Sequence, residues 1–303
     1  MGICNVTPDS FSDGGRHLQL AAALDHCDRM LAEGADLIDV GGESTRPGAG
    51  RVSRDEEWRR IGPLIKELVA RGVVVSVDTM RAAVAAAAAR AGAAIVNDVS
   101  GGQSDPDLLA VVAESGRPVI LGHWRGHSAG MDGLDRYGDV VAEVAAELLG
   151  QVDKAVAAGV RPELIVLDPG LGFAKTGASN WPLLAHLDAL GELGFPLLVG
   201  ASRKRFLEPV RGPDPALAAL GPAGRDHATA ALTALSAAAG VWCVRVHAVA
   251  ANAAAVRVAE ALSQAGRGVG SAEIGLAGGE TGPTDRDSTG LAFTDEQNRG
   301  MIA

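Results

Sequence analysis

Ile165–Phe173 reads IVLDPGLGF. A short, β-branched apolar run stopped by Asp-Pro-Gly predicts a buried parallel strand with a carboxylate at its C-terminal end. Asp168 then stands where α/β folds do their chemistry. Its two oxygens suit a ligand with adjacent N–H donors, such as the amide and amino edge of a pterin or guanine ring. An aspartate in this position can equally cap the turn that follows. What the other strand ends carry decides between the two.

Outward from this stretch one unit recurs: a helical segment, a glycine, a few apolar residues, a polar cluster. The glycines are Gly34, Gly72, Gly92, Gly116, Gly159, Gly194 and Gly240, each expected as the left-handed residue just past a helix end. The strands expected after them are Leu37–Val40, Val73–Val77, Ala94–Val96, Val119–Leu121, Leu164–Leu167, Leu197–Val199 and Val241–Val246; Ile3–Val6 at the front makes eight. Such alternation predicts a single-domain α/β fold, a parallel (β/α)8 TIM barrel, because the right-handed crossover rule leaves little else that closes. A doubly wound open sheet is disfavoured, since it gathers its site at one switch point while polar residues here follow every strand. The alanine-rich segments 82–91 and 228–239 are strong helix formers, and Pro215–Gly224 is expected as an extended loop. The barrel is placed at 1–263. From 264 to 303 glycine and charge dominate, which predicts a disordered tail. The first strand starts so near Met1 that the barrel floor lacks a cover, and an upstream start is expected.

With 303 residues and 47% hydrophobic content the chain can bury a large core. A formal net charge of −10 argues against nucleic acid or an anionic membrane as partner. No run of about 18 apolar residues and no basic leader is present, so neither a membrane span nor a secretion signal is expected, and cytoplasmic location follows. Cys4, Cys27 and Cys243 match no CxxC or zinc spacing, which predicts reduced thiols and leaves any metal to oxygen ligands. Among 27 basic residues the lysines are Lys66, Lys154, Lys175 and Lys204, so a lysine in a loop marks a local need.

The C-terminal strand ends hold Asn5 with Asp9 and Asp13, Glu43 through Arg46, Asp78, Asn97 with Asp98, His123, Asp168, Ser202 through Lys204, and Arg245 with His247. In this fold they converge on one cavity. Asp78, Asn97 and Asp168 suit the edges of a flat nitrogen heterocycle. Arg245 and His247, two apart on the last strand, point the same way and can hold a phosphate. Asn5 offers a carbonyl oxygen to Mg²⁺, which takes few protein ligands beside phosphate and water. Ser202, Arg203 and Lys204 are expected to open the next helix, Ser202 as N-cap, with free N–H groups for a second substrate's carboxylate. Thr7–Gly15 and Gly41–Gly50 are expected as mobile lids.

The segments Asn5–Gly15 (NVTPDSFSDGG), Asp39–Gly48 (DVGGESTRPG), Ser76–Thr79 (SVDT), Asn97–Gly102 (NDVSGG), Asp168–Phe173, Gly200–Phe206 (GASRKRF) and Arg245–His247 (RVH) resemble, in order, the motifs of the dihydropteroate synthase family of folate biosynthesis. The resemblance spans Met1 to about Leu262. It implies condensation of 6-hydroxymethyl-7,8-dihydropterin diphosphate with p-aminobenzoate to dihydropteroate and pyrophosphate, by a dissociative route through a pterin methylene cation. It further implies that Asp78, Asn97, Asp168 and Lys204 hold the pterin. Asn5, Arg245 and His247 would hold Mg²⁺ and the diphosphate, with help from Arg46. Phe11, Thr45, Pro47, Phe173 and Ser202 would form the p-aminobenzoate pocket, which sulfonamides would share, and Asp13 would close over the reacting centre. A homodimer through the late helices is also implied. Two positions depart from the family pattern: Gly122 stands where a methionine is common, removing an apolar wall, and Ala248 replaces an aspartate, leaving His247 without its usual orienting partner.

Three alternatives are weighed against this. A catalytically silent pterin-binding paralogue would lose the diphosphate or second-substrate groups, which this chain keeps. A pterin-dependent methyltransferase would not need the diphosphate clamp. A Schiff-base aldolase is disfavoured because Lys204 is expected outside the desolvating barrel interior.

Overall fold

The computed structural model describes residues 1–6, 16–43, 52–126 and 131–269, without the side chains of 16–18, 131–132 and 267–269. Eight parallel strands, β1 (Gly2–Asn5), β2 (Ile38–Gly41), β3 (Val75–Asp78), β4 (Ile95–Asp98), β5 (Val119–Gly122), β6 (Ile165–Asp168), β7 (Leu198–Val199) and β8 (Cys243–Val244), alternate with helices. Strands β1 to β6 pair in sequence order and β7 pairs with β8. Isolated bridges Leu167↔Leu197 and Gly2↔Val246 close the two seams, so the sheet is the expected TIM barrel.

The helices are α1 (Arg16–Ala32), α2 (Arg54–Ala70), α3 (Ala82–Arg90), α4 (Leu108–Ser115), α5 (Val140–Ala157), α6 (Gly177–Ala185), α7 (Leu187–Gly191), α8 (Pro215–Ala219), α9 (Asp226–Ala238) and α10 (Val249–Val269). Their starts follow from local chemistry. The Ser53 hydroxyl accepts the Glu56 N–H at the head of α2, and Asp139 accepts the N–H groups of Val141 and Ala142 at the head of α5. The glycines named above all take positive φ, between 62° and 104°, and end the helical segments as expected.

Several boundaries differ from expectation. Strands β2, β3, β5 and β6 each end one residue later than read and β4 two, so the polar or glycine residue at the end is the last member of the ladder, whereas β8 is confined to Cys243–Val244 within the expected Val241–Val246. Pro215–Gly224 is not extended: Asp214 caps Ala216, Pro215 presets the first turn of α8, and a 3₁₀ turn follows over Gly221–Arg225. Helix α10 carries regular structure through Val269, beyond the boundary expected after residue 263: once nucleated over its alanine-rich turns, the helix propagates past Gly266 and Gly268. Residues 270–303 lie outside the described residues.

Alternation of side chains along each strand splits the core in two. One face packs against the helices, with Cys4, Val40, Val77, Val96, Leu121, Leu167 and Val199 in the larger apolar cluster. The other face points inside the barrel, where Met1, Leu37, Ile95, Ile120, Val166 and Leu198 form the floor. Every position that can carry chemistry is counted upward from that floor. Among the described residues no helix is long and apolar enough to cross a membrane, and the three cysteines are unpaired.

Candidate active site

Two residues above the floor the interior face changes character. Asp39 follows Leu37 by two, Asn97 follows Ile95, Gly122 follows Ile120, Asp168 follows Val166 and Gly200 follows Leu198. On β3 and β8 the same step gives Ser76, then Asp78, and Arg245, then His247. Sheet register sets Asn5 beside Gly41, Gly41 beside Asp78, Asp78 beside Asn97, and Gly122 beside Asp168. An apolar floor under a polar ring makes a cup for a flat, polar ligand. Glycine widens it at position 200, where an added Cβ would meet nothing nearer than Asp168 Oδ2 at 3.8 Å. Gly122 works differently from expectation: a Cβ there would lie 2.7 Å from the Val99 carbonyl oxygen. The backbone after β4 therefore fills the place of the missing side-chain wall.

Arg245 reaches into this cup and binds two carboxylates. Its Nε donates to Asp39 Oδ2 at 2.6 Å and an Nη to Asp78 Oδ2 at 2.7 Å, while Asn97 Nδ2 donates to the same Asp39 oxygen at 3.1 Å. Asp39 is wholly buried, and its Oδ1 has no partner among the described residues. Burial pushes the Asp78 carboxyl up to about 7; Arg245 opposes the shift and Asp39 adds to it. The two carboxylates hold the Arg245 guanidinium above its ordinary value against the effect of burial.

Asp168 caps the turn that follows it and still keeps one oxygen toward the barrel interior. Oδ1 accepts the Gly170 N–H at 2.8 Å and caps the turn, while Oδ2 faces the space beside Gly200. Lys204 turns inward, contrary to the expectation that it lies outside the barrel: it donates to the Leu171 carbonyl, and its Nζ sits 4.5 Å from the centre of the Phe173 ring. Burial lowers its pKa to about 8, with Asp168 opposing and Arg245 adding to the shift. Lys175, just past the same loop, is buried and donates to His123 Nδ1, Gly170 O and Phe173 O at 2.8, 3.2 and 3.1 Å.

Ser202 is not a helix N-cap. Ser202 to Lys204 form a turn, and the 3₁₀ helix Arg205–Val210 starts beyond it without a side-chain cap. The Ser202 hydroxyl instead accepts the His247 backbone N–H at 3.1 Å and bonds Nδ1 of the ring at 2.9 Å. His247 thus has an orienting partner despite Ala248. Arg203, at φ 61°, directs its guanidinium to Asp226 at the head of α9 with two contacts of 2.8 Å. It ties the turn to the helix wall and is not gathered with the other groups. Asp98 and His123 also stand apart: Asp98 takes hydrogen bonds from Ser100 and Gly102, and His123 is buried against Glu147 and Lys175.

Asn5, Asp78, Asn97, Asp168, Phe173, Ser202, Lys204, Arg245 and His247 are therefore brought to one end of the barrel, whereas Phe11, Asp13, Thr45, Arg46 and Pro47 lie outside the described residues. The ends of the segment bearing the last three are pinned together by Arg81, which bonds Glu43 at 2.6 Å and also Glu57 and the Val52 carbonyl. Asp39, Arg81 and Lys175 were not singled out as site residues from sequence. Strand parity marks Asp39, and the scarcity of lysine marks Lys175.

A family model described as pterin binding enzyme matches residues 1–247. The chain is 54% identical over 268 residues to the dihydropteroate synthase of Mycobacterium leprae, covering 88% of this chain and 94% of that one. Among solved structures, the Xanthomonas albilineans dihydropteroate synthase with 4-aminobenzoic acid superposes with a TM-score of 0.79 at 44% identity, over 87% of this chain and 92% of that one. The same enzyme in complex with 7,8-dihydropteroate gives 0.76 at 42% identity, with the same coverage. The Yersinia pestis enzyme with a sulfonamide drug complex gives 0.79 at 42% identity, over 87% and 94%. An apolar floor under a ring of polar groups and likeness along nearly the whole barrel agree, and the chain belongs to the pterin-binding enzyme family as a dihydropteroate synthase.

Proposed function

We propose that this chain joins 6-hydroxymethyl-7,8-dihydropterin diphosphate to p-aminobenzoate by a dissociative mechanism. The observation that carries this is the interior ring of Asp78, Asn97 and Asp168 with Lys204 and Arg245 above an apolar floor. The pterin lies flat in the cup, its amide and amino edge on Asp168 Oδ2, its other edge on Asp78 and Asn97, and Lys204 at its rim. Arg245 and His247 take the diphosphate, His247 held in orientation by Ser202. Asn5 is the residue that would hold Mg²⁺: its Oδ1 lies 3.0 Å, and Asp78 Oδ2 3.5 Å, from the point where a Cβ at Gly41 would stand, so oxygen donors of the kind a hard cation takes gather at this strand end. Bound with the diphosphate, Mg²⁺ would neutralise charge growing on the leaving group.

The C–O bond between the pterin methylene and the diphosphate breaks first, and its electron pair leaves with pyrophosphate. The methylene cation, delocalised into the ring, is stabilised by the Asp168 carboxylate. The arylamine nitrogen then forms the C–N bond and loses a proton. Phe173, under the Lys204 ammonium, supports the p-aminobenzoate ring, and sulfonamides compete there. Arg46, Thr45, Pro47, Phe11 and Asp13 complete this side of the site in the proposal. We assign the protein to the cytoplasm, in keeping with its unpaired cysteines, and to a homodimer through α9 and α10, whose Leu235, Val258 and Leu262 are exposed; light scattering at a mass of two chains tests the dimer.

Pyrophosphate release by the purified protein with the pterin diphosphate and Mg²⁺, with and without p-aminobenzoate, tests the reaction. Release coupled to dihydropteroate is expected, and loss of product in folded Asp168→Ala and Lys204→Ala. Wild-type turnover in either variant refutes its role. Oxygen-18 placed in the ester oxygen that joins the methylene carbon to the first phosphorus should scramble to the non-bridging phosphate oxygens without p-aminobenzoate; no scrambling would sink the dissociative order.

A further inference from the structure

Lys175 is 5% exposed, an expensive place for an ammonium unless every donor is satisfied. An ammonium has three hydrogens and no acceptor, and here each has one address: His123 Nδ1, Gly170 O and Phe173 O. His123 can receive the first because its other nitrogen is committed. Nε2 lies 2.9 Å from Glu147 Oε2, and a carboxylate accepts only, so the ring hydrogen sits on Nε2 and Nδ1 presents a lone pair. Burial, with help from the Lys175 charge, lowers His123 to about 3 and keeps it neutral. Arg125 holds Glu147 from its far side, with Nε 3.1 Å from both carboxylate oxygens. The neighbouring backbone is stitched to the loop after β5: Tyr137 donates to Ala174 O at 3.2 Å, and Asp135 accepts Thr176 N–H at 2.8 Å and the Ser179 hydroxyl at 2.6 Å.

This arrangement acts unequally on the two halves of the site. Asp168 is the last residue of β6, paired with Gly122 in the sheet, and needs no further support. Phe173 belongs to no ladder. Its backbone is fixed by its own N–H to Gly170 O at 3.0 Å and by its carbonyl on Lys175. We infer that Lys175 is a positioning residue for the second substrate: seated on His123, its ammonium holds the Gly170 and Phe173 carbonyls and so sets the Phe173 ring against p-aminobenzoate. The inference rests on the dihydropteroate synthase reading of the site. Burial brings Lys175 down to about 7, with Asp168 and Glu147 favouring its charge and Lys204 and Arg125 opposing it.

Lys175→Met keeps the length of the side chain and removes its donors. Steady-state kinetics should show the KM for p-aminobenzoate raised about tenfold or more, while that for the dihydropterin diphosphate moves by less than about threefold. A purely structural role would lower the active fraction, and hence kcat, and leave both KM values in place. Equal changes in the two, or none, overturn the inference. Should Lys175→Met fail to fold, His123→Gln, which takes away the ring acceptor, must show the same asymmetry in smaller measure; an unchanged p-aminobenzoate KM there overturns it as well. A wild-type protein that makes no dihydropteroate would overturn the functional reading and this inference with it, whereas an active wild type with symmetric variants overturns the inference alone.

Discussion

Asp39 joins the two halves of the cup, because one of its oxygens serves both Arg245 and Asn97. Removing it leaves Arg245 in a buried setting with Asp78 as its remaining carboxylate. Breaking one side of a buried ion pair is costly, since the surviving charge keeps its desolvation penalty. Asp39→Ala is therefore expected to lower unfolding free energy by about 3 kcal/mol, read from urea denaturation, and to weaken the pterin substrate more than p-aminobenzoate. A loss below about 1 kcal/mol would mean that Asp78 alone satisfies the guanidinium. The residue was legible in principle and still missed. Polar groups after each apolar run draw the eye, whereas in a closed barrel the residue two above a floor position also faces the cavity. Arg203 shows the reverse: expected with Ser202 and Lys204 at a helix start that serves the second substrate's carboxylate, it is held instead by Asp226, 23 positions away in the chain.

Helix ends were the most legible elements, because the left-handed conformation past a helix selects glycine by sterics alone. The same positions differ in what else they demand. At Gly72, φ is 77° and an added Cβ would meet nothing within 4 Å; at Gly92, φ is 99° and it would lie 2.6 Å from Val69 Cγ1. Gly72→Ala should cost the conformational term, about 1 kcal/mol, and Gly92→Ala that term plus overpacking, about 2–4 kcal/mol in all. Thermal or urea midpoints of the two variants check the order, and equal losses would show that α2 yields to the methyl group. Strand ends were less legible than strands, because no local signal separates the last ladder residue from the first loop residue when both are polar. The turn at Ser202 was misread for a related reason. A Ser followed by a basic pair looks like a helix start, and the tertiary bond to His247 is invisible from the chain alone.

At the scale of the whole molecule, buried lysines at the mouth set stability and binding against each other as pH changes. The barrel closes polar groups into one low-dielectric cup, which the alternation of strands and helices predicts, but the depth at which each charge sits depends on the closed geometry. Lys175 and Lys204 are lowered to about 7 and about 8, in each case mainly by burial, from an ordinary 10.5. Between pH 7 and 9 the unfolded chain therefore holds more protons on these lysines than the folded one, so unfolding free energy should rise with pH across that window. Above pH 9 the thiol of Cys4, raised by its hydrogen bond with Cys27 and by burial, and that of buried Cys243 act the other way, because the unfolded thiols ionise first. Affinity for the dihydropterin diphosphate should fall over pH 7–9, as Lys204 loses its charge through about 8. Denaturation midpoints and calorimetric binding measured side by side at pH 7, 8 and 9 should thus move in opposite directions, and Lys175→Met should flatten the stability rise while leaving the binding decline. Parallel movement of the two would show that Lys204 remains a solvated cation and that the cup is open to water.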